Sequence, residues 1–170
     1  MTSDLPWLIR PLRQDDLPLY HPLRLEALRC HPEAYGSSFE EEQASDLSHM
    51  IGNRPNVTLG AFVDDALVGT AGLIVSQKLK QRHKGHVVGV YVAPAWRRTG
   101  LAQALTERLI DEARSARLVA LMLSVTVGNE AARRLYLNAG FVPYGIEPRS
   151  LMIGSDLMDI ELMALPMGEP

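Results

Sequence analysis

Along this 170-residue chain the spacing of apolar positions switches repeatedly between the period of a strand and that of a helix. Residues 8–12 make a short apolar strand, and Asp15 or Asp16 then stands where a cap is needed for a helix over about 17–29. Pro18 suits the first turn of that helix; Pro22 does not, and predicts a late start or a kink. Ser38 and Glu41 are spaced as a capping box, predicting a second helix that runs to about residue 51. The apolar runs 57–63 and 67–75 flank Asp64 and Asp65, so they form a hairpin. A basic polar loop over 77–85, expected to be solvated and mobile, leads into a β-branched run at 86–92. Gly89 interrupts that run and predicts a bulge.

From Gly100 to about residue 116, Leu101, Leu105, Leu109, Ile110 and Ala113 fall on one helical face. Residues 118–125 are apolar without alternation, as in a strand covered on both sides. Asn129 is the natural N-cap of the next helix, and Gly140 ends it. Residues 141–144 and 156–164 read as the last two strands, with Pro148 and Gly154 in their connection. The order is strand, two helices, three strands, helix, strand, helix, two strands. It predicts an α/β domain with a mixed sheet.

Composition narrows this picture at few points. Hydrophobic content of 46% over 170 residues fits one core, so residues 1–170 are expected to form a single domain. No apolar run approaches the roughly 18 residues of a membrane span, and the N-terminus, with Asp4 and Pro6, lacks a secretory pattern. A cytoplasmic protein away from membranes is the expectation. One cysteine, Cys30, excludes a disulfide framework and a Cys-rich zinc site, and His83 with His86 lacks a third ligand, so no metal is expected. A net charge of −3 gives no reason to expect nucleic acid.

The candidate chemistry lies where the 86–92 strand meets the next helix. Tyr91-Val92-Ala93-Pro94 is followed by Arg97-Arg98-Thr99-Gly100-Leu101-Ala102. A helix opening on a small residue offers free backbone N–H groups and the positive end of its dipole to an anion. The spelling lacks the Gly-Lys-Ser/Thr of a P-loop and the three glycines of the dinucleotide fingerprint. Arg97-x-x-Gly100-x-Ala102 resembles instead the acetyl-CoA signature, Gln/Arg-x-x-Gly-x-Gly/Ala, of the GNAT superfamily of N-acetyltransferases. A second segment, Asn129-x-x-Ala132-x-x-x-Tyr136-x-x-x-Gly140-Phe141, is similar to that family's Asn-x-x-Ala-x-x-x-Tyr-x-x-x-Gly-Phe pattern at every marked place. The element order agrees as well, so the resemblance covers most of the chain. It implies the GNAT fold: a mixed sheet of about seven strands flanked by about four helices.

The resemblance further implies direct acetyl transfer from acetyl-CoA to a primary amine of a small molecule, peptide or protein. Arg97, Arg98, Thr99, Gly100, Leu101 and Ala102 would then meet the pyrophosphate, although both arginines are equally compatible with plain solvation. The strand backbone at Val90, Tyr91 and Val92 would line the pantetheine arm, with the Val90 N–H aimed at the thioester oxygen. Tyr136 is the candidate general acid, since a phenol is protonated at neutral pH; packing in the helix stripe is the competing role. Asn129 has a sufficient job as cap, with a cofactor contact as a second one.

Many members of the family place a basic Glu on the central strand. The corresponding places here are near His86 and Val88, and neither is acidic. His86 or a chain of waters could take the amine proton. A non-catalytic acyl-CoA-binding domain is the alternative that this departure raises. Covalent catalysis by Cys30 beside His31 lacks an orienting third group. Glu40, Glu41 and Glu42 could draw an amine, or simply complement a helix dipole. Homodimerisation through the last strands is common in that family and stays open.

Overall fold

The computed structural model describes residues 6–52 and 54–168; Asp4, used above in reading the N-terminus, lies outside them. Seven strands form one sheet in the order β1-β2-β3-β4-β5-β7-β6. They are β1 (Leu8–Pro11), β2 (Val57–Val63), β3 (Ala66–Val75), β4 (Lys84–Val92), β5 (Ala120–Thr126), β6 (Val142–Ile153) and β7 (Asp156–Pro166). The α-helices are α1 (Leu17–Cys30), α2 (Phe39–Glu42), α3 (Leu101–Ser115) and α4 (Glu130–Asn138). Every neighbouring pair of strands is antiparallel except β4 with β5.

Two apolar clusters clamp the sheet. Leu101, Leu105, Leu109 and Ala113 of α3 pack with Leu59, Ala71, Leu73, Leu121, Phe141 and Met163. Tyr20, Leu23 and Ala27 of α1 pack with Leu12, Phe62, Leu67 and Tyr91 on the other side. Among the described residues, no helix is long and apolar enough to cross a membrane.

Three elements differ from the sequence expectation, and at α1 only the alternative left open at Pro22 is excluded. Helix α1 starts at Leu17 and runs through Pro22. That start is where the spacing predicts it, and the late start offered by Pro22 does not occur, because Pro22 lies close enough to the N-terminus that it forfeits at most one intrahelical bond. The Ser38/Glu41 capping box forms, but α2 lasts only to Glu42. The Ser45 hydroxyl donates to the Glu41 carbonyl, and Asp46 caps a separate turn at Leu47–Met50, so local side-chain bonds break the expected long helix in two. Strand β6 absorbs Pro148, placed above in a connection, because β6 is an edge strand and carries an irregularity between Glu147 and Leu151. Strand β5 is not covered on both faces throughout: Leu121, Leu123 and Val125 are buried while Ser124 is exposed, for a reason that lies in the fork described next. Val142, Tyr144, Ile146 and Met152 of β6 are exposed.

Candidate active site

The parallel pairing of β4 with β5 covers only Lys84–His86 against Ala120–Met122. Beyond it, residues 87–92 of β4 and 123–126 of β5 have no mutual partner, and the sheet opens as a fork. Gly89 explains the divergence. It adopts φ +61°, and Thr70 pairs with Tyr91 while Gly72 pairs with Val88, so Gly89 and Val90 together oppose Ala71 alone. An extra residue in one strand bends it and increases its twist, which here carries the end of β4 away from β5.

The fork exposes main-chain groups of β4. The Ala93 N–H donates to the Val68 carbonyl on the β3 side, so the Val92 carbonyl of the same planar peptide points into the fork. It accepts from Nε of Arg97 at 3.1 Å, and the Val90 carbonyl accepts from the Tyr35 hydroxyl at 3.1 Å. Each carbonyl retains a second lone pair.

Two clefts meet at this fork. The larger, about 1060 Å³, holds Val90, Tyr91, Val92, Arg97, Arg98, Gly100, Ala102, Asn129 and Tyr136 on its walls. Gly100 caps α3 with φ +90°, and a Cβ there would meet nothing within 4 Å, so the helix start lies open. The first intrahelical bond into it runs from Ala104 N–H to the Gly100 carbonyl. The N–H groups of residues 101–103 are therefore free for an anion. Arg134 lines the same cleft, whereas Arg133 is tied to Glu161 at 2.8 Å. The smaller cleft, about 420 Å³, opens on the α1 side and is walled by Arg24, Ser37, Ile74, Ser124 and residues 87–90. Ser124 is exposed because it faces this opening.

Tyr35, Val90, Thr126, Asn129 and Tyr136 border both clefts, so they mark the passage between them. Tyr136 lies 8% exposed on α4, with its ring edge-on to Phe141 at 5.7 Å. Its hydroxyl has no hydrogen-bond partner among the described residues. Burial first, and Tyr35 second, push its phenol above the ordinary tyrosine range. The Tyr35 hydroxyl is likewise pushed up by burial, to about 12. Asn129 caps α4 by accepting from the Ala132 N–H at 3.2 Å. Thr126 donates to the Glu33 carbonyl and ties β5 to the turn that presents Tyr35.

Three residues singled out from the sequence stand apart from this gathering. Leu101 is 1% exposed and belongs to the core. The Thr99 hydroxyl donates to the Trp96 carbonyl at 2.7 Å and closes the turn before α3. His86 is exposed and lines neither cleft. It pairs with Ile74 and Met122 at the foot of the fork, where β4 and β5 are still joined. Partial desolvation and then the Lys84 charge hold its imidazole below the ordinary value. No group of three or more metal-ligating side chains occurs among the described residues.

A sheet forked at a central bulge, with a glycine-opened helix beside it, defines the class of acyl-group transferases to which the motifs pointed. The chain belongs to the acetyltransferase (GNAT) family, whose model matches residues 20–141, and is an acetyltransferase. The fold is shared with a GNAT-family acetyltransferase from Streptococcus pneumoniae, 25% identical, with a TM-score of 0.82 over 95% of this chain and 99% of that one. A GCN5-related N-acetyltransferase from Kribbella flavida is 23% identical, with a TM-score of 0.83 over 97% and 100%. The Salmonella typhimurium protein yncA, a putative acetyltransferase solved with its cofactor acetyl-CoA, is 21% identical, with a TM-score of 0.80 over 96% and 95%. No curated protein matches the sequence.

Proposed function

We propose that this protein moves an acetyl group from acetyl-CoA to an amine by direct transfer, with both reactants held at once. One observation carries the reading: the fork between β4 and β5 joins a large, helix-capped cleft to a smaller one at Tyr136. The open helix start, the side chains of Arg98 and Arg134 and the fork-facing backbone of β4 suit a ligand with a pyrophosphate at one end and an amide-bearing arm along its length. The Salmonella relative, solved with acetyl-CoA, supports that choice of donor.

Acetyl-CoA would supply the acetyl thioester. Gly89 and Val90 have no partner in the β3 register, and the Val90 N–H is the donor assigned to the carbonyl oxygen as negative charge grows on it. A nitrogen–carbon bond forms as the carbon–sulfur bond breaks. The Tyr136 hydroxyl gives its proton to the departing sulfur and regains one from solvent. The ammonium form of the acceptor first loses a proton to water, and a further amine proton follows after attack. No side-chain base is assigned, because among the described residues no carboxylate or imidazole walls the smaller cleft.

A thermal melt combined with release of free CoA thiol checks this reading. Acetyl-CoA is expected to raise Tm, and thiol release is expected to require an added amine. Unchanged Tm together with no amine-dependent thiol across amino acids, peptides, polyamines and aminoglycosides would remove it.

A further inference from the structure

Among the described residues that wall the smaller cleft, one is charged, Arg24 of α1. An arginine is an unexpected fixture where a cationic amine would have to bind. Its side chain is held rigidly. Nε and Nη2 donate to Oε2 and Oε1 of Glu42, both at 2.8 Å, in a parallel two-bond pairing. The guanidinium carbon lies 4.9 Å from the centre of the Tyr35 ring. Arg24 is only 8% exposed, yet its remaining edge is not spent. Nη1 has no hydrogen-bond partner among the described residues and lies 4.0 Å from the position a Cβ on Gly89 would take. That places two free N–H groups beside the bulge, next to Val90.

Such an edge matches a carboxylate in shape and charge. Glu42 balances the charge of Arg24 from behind, so what the pair turns toward the cleft is its donor end, which offers hydrogens to a carboxylate and no acceptor to an ammonium group. We infer that the acceptor is an amine that also carries a carboxylate close to its nitrogen, and that the free edge of Arg24 binds this carboxylate so that the nitrogen lies at Val90 and Tyr136. The inference rests on the acetyl-transfer reading. Free α-amino acids and peptides beginning with Asp or Glu share this chemistry.

The test compares kcat/KM for L-amino acids, their primary amides, Asp- or Glu-initiated peptides and spermidine, all with acetyl-CoA. Acids are expected to exceed the matching amides by roughly 10- to 100-fold, as for a charge-assisted hydrogen-bonded pair. Arg24→Lys is expected to shrink that ratio several-fold, mainly through KM for the acid, with acetyl-CoA affinity unchanged. An advantage confined to the peptides assigns the carboxylate to an acidic side chain; one confined to free amino acids assigns it to the α-carboxylate. Because Arg24→Lys also disturbs the buried pair with Glu42, the wild-type acid-to-amide ratio decides by itself. Amides or spermidine used as well as both the free acids and the Asp- or Glu-initiated peptides overturn the inference and leave acetyl transfer standing. If no amine turns over, thermal shifts with CoA present read the same ratio, and equal or absent stabilisation by acids and amides overturns it. Failure of acetyl-CoA itself to bind overturns the parent reading as well.

Discussion

Tyr136→Phe lowers kcat by about 10- to 1,000-fold with little change in acetyl-CoA affinity, the expected signature of losing a proton donor that acts only in the transition state. The substitution is a clean one. The hydroxyl makes no hydrogen bond among the described residues, and the ring contact with Phe141 at 5.7 Å survives, so Tm should stay close to the wild-type value. The raised phenol pKa fixes the pH behaviour. A group whose pKa lies above the ordinary value, near 10, holds its proton across the neutral range, so ionisation of Tyr136 should cause no loss of kcat below about pH 10. His86→Ala supplies the contrast. Outside both clefts, its loss should leave kcat within about 2-fold, as expected for an exposed side chain remote from the chemistry. Wild-type turnover by Tyr136→Phe, or a collapse of turnover in His86→Ala, would exchange the roles given to these residues.

Gly89→Val carries the second large effect. At φ +61° a side chain brings strain of about 1–2 kcal/mol, more for a β-branched one. A Cβ alone meets no clash, the nearest atom to it being Nη1 of Arg24 at 4.0 Å, so backbone strain is the cost any side chain brings there. The chain can relieve the strain only by abandoning the bulge, which restores the ladder with β3 and turns Val90 out of the fork. If the Val90 N–H is the donor to the developing oxyanion, kcat falls by about 100-fold, while Tm drops by only about 2–8 °C. Full activity with an unchanged far-ultraviolet spectrum would mean that the main chain at Val90 takes no part.

The bulge was readable from one glycine in a β-branched run, and the caps at Ser38 and Asn129 from side chains that bond their own neighbours. Such features depend on residues close in sequence. The foot of the fork was not readable in that way. It depends on where two strands, far apart in the chain, stop pairing, and this decides that Val90 stands at the passage while His86 stands below it. Arg24 was not legible for a similar reason. Its value comes from Glu42 eighteen residues on and from a cleft walled by seven separate segments of the chain. Nothing in α1 alone distinguishes Arg24 from Arg29. The long β6 was also hidden, because Pro148 argues against a strand until the strand is known to be an edge.

Amide-resolved hydrogen exchange with and without acetyl-CoA tests most directly the claim that the fork and the α3 start together hold the donor. Protection is expected at Val90 and Val92 and at residues 101–103, with His86 unchanged. Protection confined to other surfaces, or none at saturating acetyl-CoA, would contradict it.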